Sequence, residues 1–112
     1  MDEVNQLSGK KSTVAETFLS ALVDNGIEYV FANGGTDFAP IIEALVVSAQ
    51  AGSCIPEFIT VPHENVAIAM AEGYYRISGK PAAVMVHVTV GTANTICGVM
   101  NASRDNVPIL VL

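Results

Sequence analysis

The chain has 112 residues, a formal net charge of −6, and 51% hydrophobic against 14% charged residues. That is room for one small domain, and a balance opposite to that of a disordered segment. The five Lys and Arg residues are scattered, which argues against the basic patch that nucleic acid requires and against a basic helix for a membrane surface.

So much apolar sequence beside so little charge reads as surface reserved for another domain or subunit. The stretch from Met1 to Lys11 is polar and has no apolar signal-peptide core. No apolar run reaches the roughly 18–20 residues of a membrane span, so the chain is expected to be cytoplasmic. Cys54 and Cys97 stand far apart, without a CxxC or a His-rich neighbourhood, and are expected to be small buried hydrophobes and not a disulfide. Residues 1–12 read as a flexible lead-in and residues 13–112 as one domain.

In chain order, Thr13 and Glu16 form a capping-box pattern, followed by Ala15, Phe18, Leu19, Leu22 and Val23 at helical spacing. Gly26 closes that helix. Ile27–Phe31 predicts a strand and Asn33-Gly34-Gly35-Thr36 a tight turn. Asp37 is placed as the cap of a second helix, with Pro40 in its first turn and Ile41, Ile42, Leu45 and Val46 on it.

Phe58–Val61 predicts a second strand. Pro62-His63-Glu64 leads into a third helix that ends near Ser78 at Gly79. Ala82–Val88 predicts a third strand, Val90-Gly91-Thr92 a turn, Ala93 to about Ser103 a fourth helix, and Ile109–Leu112 a fourth strand. Strands alternating with helices imply βαβ units, hence a three-layer α/β fold with a parallel sheet. Leu112 falls inside an apolar strand, so the sheet is expected to be incomplete at the C-terminus.

Ligands of an open α/β sheet bind at the carboxyl ends of its strands. Three segments fall there: Asn33–Thr36, Pro62–Glu64 and Val90–Asn94. The two glycines of the first serve either a plain turn or a backbone that approaches a ligand; no GxGxxG or GxxxxGK[ST] phosphate motif is present. Glu64 is explained by the helix dipole alone, or as a carboxyl whose proton affinity is raised in an apolar cleft. Glu72 reads as a solvent-facing residue. His63 reads as a cap or surface residue, and His87 as either a core histidine or a site residue. Thr92 and Asn94 either cap the fourth helix or present amides to a ligand. No third ligand completes a metal set, so no protein-only metal site is expected.

The segments Gly26–Phe31 and Asn33–Thr36, then His63-Glu64-Asn65 with Ala71-Glu72-Gly73-Tyr74, resemble the thiamine-diphosphate-dependent enzymes of the acetolactate synthase and 2-oxo acid decarboxylase group. Gly91-Thr92-Ala93-Asn94, Asn101-Ala102 and Asp105-Asn106-Val107-Pro108 continue the resemblance, which covers residues ~13–112. It implies the N-terminal, pyrimidine-binding domain of such an enzyme. It also implies that Glu64 bonds to N1′ of the aminopyrimidine and promotes ylide formation, with Asn33, Gly34, Gly35, Gly91, Thr92 and Asn94 around the cofactor.

His87 matches an active-site His of benzoylformate decarboxylase-like members, where acetolactate synthase-like members usually have Thr. Thr36 matches a small hydroxyl residue near the substrate. The resemblance further implies a small 2-oxo acid substrate and Mg²⁺ held by a separate C-terminal domain whose GDG…N motif this chain lacks. It implies FAD in some relatives and a second subunit completing the site in a homodimer or homotetramer. Residues 1–112 alone are then expected to be inactive. Gly34 stands where the family usually has Pro, and the Gly-Pro that usually precedes Gly91 is missing. Three readings remain: an acetolactate synthase-like carboligase, a decarboxylase of the benzoylformate type, and a non-catalytic module that pairs with a partner.

Overall fold

The structure, a computed structural model, describes residues 11–112. Most of the predicted lead-in therefore lies outside the described residues. Helix α1 (Val14–Asp24) starts as expected. The Thr13 hydroxyl accepts from the Glu16 amide, and the Glu16 carboxylate accepts from the Thr13 amide. Leu19 and Leu22 form its buried side, and Gly26 follows at a φ of 78°.

Strand β1 (Tyr29–Ala32) leads through a 3-10 turn (Thr36–Phe38) into α2 (Ala39–Gln50). Strand β2 (Glu57–Thr60), α3 (Glu64–Ser78), β3 (Ala82–Met85), α4 (Val88–Arg104) and β4 (Ile109–Val111) follow. All strand pairs are parallel, in the order β2-β1-β3-β4.

Alternation along the strands divides the core in two. Val30, Ala32, Ala83 and Met85 pack with Leu22, Phe38, Phe18 and Ile41 on the face that carries α1 and α2. Phe31, Ala82, Val84 and Val86 pack with Ala67, Ile68, Ala71 and Val99 on the face that carries α3 and α4. This is the expected three-layer α/β fold. At the amino end of the sheet, Glu28 accepts from Tyr74 at 2.8 Å and pairs with Lys80, while Arg76 joins Glu72 on α3 to Asp105 beyond α4. Glu72, read as solvent-facing, is half-buried and part of that ion pair.

Four expectations change. Asp37 does not cap α2: it lies in the 3-10 turn, and the residue before α2 is Phe38, with no side-chain cap. The third strand stops at Met85, and Val90-Gly91-Thr92 is helix, not turn. The Gly91 amide bonds to the His87 carbonyl at 2.9 Å, so the helical ladder begins at once. Glycine and β-branched residues argued locally against helix, but Gly91 and Thr95 bury themselves in the fold, and packing overrides propensity. Cys54 and Cys97 are free and exposed, not buried. Ile42 and Val46 stay more than half exposed; α2 buries its smaller Ala44 and Ser48 instead.

Candidate active site at the switch point

Between β1 and β3 the connections diverge: β1 leads to β2 on one side, β3 to β4 on the other. A crevice outside the carboxyl ends of the strands opens at such a point. Asn33 holds it together. Its amide donates to the Met85 carbonyl, and its side chain donates to the Val61 carbonyl at 2.9 Å, tying the ends of β1, β3 and β2.

Gly35 and His87 meet across the crevice. A Cβ at Gly35 would overlap the imidazole ring, so only glycine leaves room for His87 there. The imidazole Nδ1 lies 2.7 Å from Asp37 Oδ1, both side chains being partly exposed. His87 is the N-cap residue of α4, not the end of a strand. Val88 follows at a φ of 44°, in the left-handed region that a β-branched residue rarely enters, and turns the chain from β3 into α4. Thr36 and Gly34 are exposed beside this pair.

Glu64 forms the second part of the site. It opens α3 after His63, whose Nδ1 accepts from the Asn65 amide at 3.1 Å and so caps the helix. Only 8% of Glu64 is exposed. Asn94, in the second turn of α4, donates its side-chain amide to Glu64 Oε2 at 3.1 Å. A Cβ on Gly91 would stand 3.4 Å from Glu64 Oε1 and 3.1 Å from Val86 Cβ, so the glycine lets the first turn of α4 lie close against the carboxylate.

The carboxyl is held below its ordinary value. Its own backbone amide at the start of the helix is the largest cause, and Asn94 the next; burial opposes them, and nearby His63 adds a little. Of the two readings of Glu64, the raised proton affinity is not the one favoured here: hydrogen bonds to the charged form outweigh desolvation. The Thr92 hydroxyl donates back to the Val88 carbonyl at 2.9 Å and so serves its own helix.

The structure thus brings Glu64, Gly91 and Asn94 into one contact group, and Gly35, His87 and Asp37 into another, joined by the bond from Gly91 to His87. Sequence reading missed Asp37 as the partner of His87, because its spacing before a helix looks like a cap. Asn94 was expected near the site, but its side-chain bond to a residue thirty positions earlier carries no local signal.

A parallel doubly wound sheet with a buried, hydrogen-bonded carboxylate beside its switch point is a ligand-binding α/β domain. Residues 12–112 match the family model for the N-terminal TPP-binding domain of thiamine pyrophosphate enzymes, and the chain belongs to that family. It is 36% identical over 103 residues to the acetolactate synthase large subunit of Haemophilus influenzae, covering 92% of this chain and 17% of that protein. It is 31% identical over 107 residues to the acetolactate synthase of Bacillus subtilis, covering 96% and 18%. The X-ray structure of a Mycobacterium smegmatis protein assigned to the thiamin diphosphate-dependent enzymes superposes with a TM-score of 0.74 at 28% identity, covering 90% of this chain and 18% of that one. The chain thus spans less than a fifth of the length of these relatives.

Proposed function

We propose that this chain is the pyrimidine-side part of an acetolactate synthase-like carboligase acting on a small 2-oxo acid, and that Glu64 is the group that meets N1′ of the thiamine diphosphate aminopyrimidine. The observation that carries the reading is the setting of Glu64: buried, fixed through Oε2 by Asn94, close to Gly91, and hydrogen-bonded in a way that favours its charged form. These residues fit a planar ring that presents a protonated nitrogen.

An ionised Glu64 accepts a hydrogen bond from that nitrogen and holds the proton at N1′. The charge is worth more in a site that excludes water than in solvent. Asn94 keeps Oε2 from turning away, and Asn33 fixes the strand ends around the ring. When bound, thiamine diphosphate supplies the electron sink for breaking a carbon–carbon bond next to a carbonyl.

The diphosphate and its Mg²⁺ fall to protein outside these residues: among the described residues no group of three His, Cys, Asp or Glu could hold a metal. We assign them to a second, diphosphate-binding domain across a subunit interface, in a dimer or tetramer, and FAD to a further domain where it is used. Residues 1–112 alone should then turn over no 2-oxo acid. We place the enzyme in the cytoplasm; no helix among the described residues is long and apolar enough to cross a membrane.

Glu64→Gln in the complete enzyme tests the reading. The amide keeps the size but cannot hold the charge. Exchange of the C2 proton of bound cofactor, followed by NMR, should slow about a hundredfold or more, the usual scale of a lost acid–base partner. Unchanged exchange would leave Glu64 as a helix-start residue only.

One observation favours a second reading, a decarboxylase of the benzoylformate type. His87, pinned by Asp37 and seated on Gly35, presents an imidazole at the crevice. Under that reading His87→Ala lowers kcat for decarboxylation with cofactor affinity kept; under the carboligase reading kcat is unmoved.

A further inference from the structure

Helices α3 and α4 lie side by side on one face of the sheet, and both begin at its carboxyl edge. One turn below the Asn94–Glu64 hydrogen bond, the same two helices meet again. Residue 98 follows 94 by four positions, and residue 68 follows 64 by four, so the two contacts are in register. Gly98 faces Ile68 there. A Cβ on Gly98 would stand 2.5 Å from Ile68 Cγ2 and 2.9 Å from Ile68 Cβ, with Asn65 Oδ1 at 3.5 Å. Ile68, on α3, is fully buried in the core cluster between that helix and the sheet.

We propose that Gly98 is a positioning residue for Glu64: its missing side chain lets α4 approach α3 closely enough for Asn94 to reach the carboxylate. Any side chain at position 98 wedges the helices apart at that level. The Asn94 bond, 3.1 Å long, has little slack before it passes the range in which a hydrogen bond is formed. Close-packed interiors transmit such a displacement instead of absorbing it. Gly98 touches neither cofactor nor substrate; it acts through Asn94. The significance of this spacing rests on the proposed role of Glu64, but the contact can be tested without any cofactor.

The experiment is a ¹³C carboxyl NMR titration of Glu64 in the complete enzyme, free of cofactor. Gly98→Ala should raise the Glu64 midpoint by as much as Asn94→Ala does, because both remove the same bond. Gly73→Ala is the control: it lies on α3 with nothing within 4 Å of a new Cβ, and should leave the midpoint in place. A folded Gly98→Ala chain that titrates like the parent overturns the proposal.

If Gly98→Ala does not fold, the double variant Gly98→Ala/Ile68→Leu decides, because leucine keeps the volume but removes the Cγ2 that the new Cβ would meet at 2.5 Å, leaving only the 2.9 Å approach of Cβ to be taken up. Folding with the parent midpoint supports the spacer role. Failure to fold in both variants, or a double variant with the midpoint of Asn94→Ala, overturns it. The C2-proton exchange of Glu64→Gln is read separately, so a failed spacer and a failed cofactor role are told apart.

Discussion

Glu64 loses its proton more readily in the folded chain than in the unfolded one, since its own amide and Asn94 both donate to the charged form. Glu28 behaves alike, through Lys80 first and Tyr74 next. A carboxyl with a depressed folded value adds stability above its unfolded value, and that stability is lost as pH falls through the folded value. The chain should therefore weaken towards denaturant as pH drops below about 4.5, the ordinary value of both groups. Replacing Glu64 by Gln should flatten the loss, read as the urea midpoint against pH; an equal slope in both proteins would remove Glu64 from the linkage. The place of this residue, at the start of a helix beside the sheet's carboxyl edge, was legible from Pro62-His63-Glu64. The hydrogen bonds that favour its charged form were not. Apolar neighbours in sequence suggested desolvation, whereas the decisive donors are its own amide and a side chain on another helix.

Among the elements, α1 was the most legible, because a capping box is a local device whose two bonds close within four residues. Thr13→Ala removes the acceptor for the Glu16 amide and should destabilise the chain by about 1 kcal/mol, the usual worth of such a cap. For a domain of this size that is a fall in Tm of about 4–8 °C, measurable by thermal unfolding. An unshifted Tm would mean that α1 frays at this end in the native state. Helix α4 was the least legible. Its first turn reads Val-Thr-Val-Gly, a sequence that favours strand and then turn. What makes it helix is non-local: Gly91 has to lie against Val86 and Glu64. The left-handed Val88 marks where local preference gives way. Backbone strain of this kind gathers at functional sites.

At the scale of the whole molecule, the fold class followed from the alternation of strand and helix, while the order of the strands did not, since nothing local says which strand stands at the centre. The exposed apolar residues, among them Ile42, Val46, Ile96 and Met100, agree with the surplus of hydrophobic sequence over charge. The inner strands are β1 and β3, and the position of β1 has a kinetic side. Its two neighbours are β2, reached across α2, and β3, reached only after α2, β2 and α3. Among the described residues no hairpin starts the sheet, and every pair closes a long loop, the kind of topology that folds slowly. Once both flanks are in place, the amides of Val30 and Phe31 can open only by undoing the entire sheet. They should be among the slowest amides to exchange with deuterium, and those of β2, at the rim, much faster. The switch point lies in the β1–β3 pairing, which joins segments separated in the chain by α2, β2 and α3: the contact that unites the two inner strands also makes the place to bind.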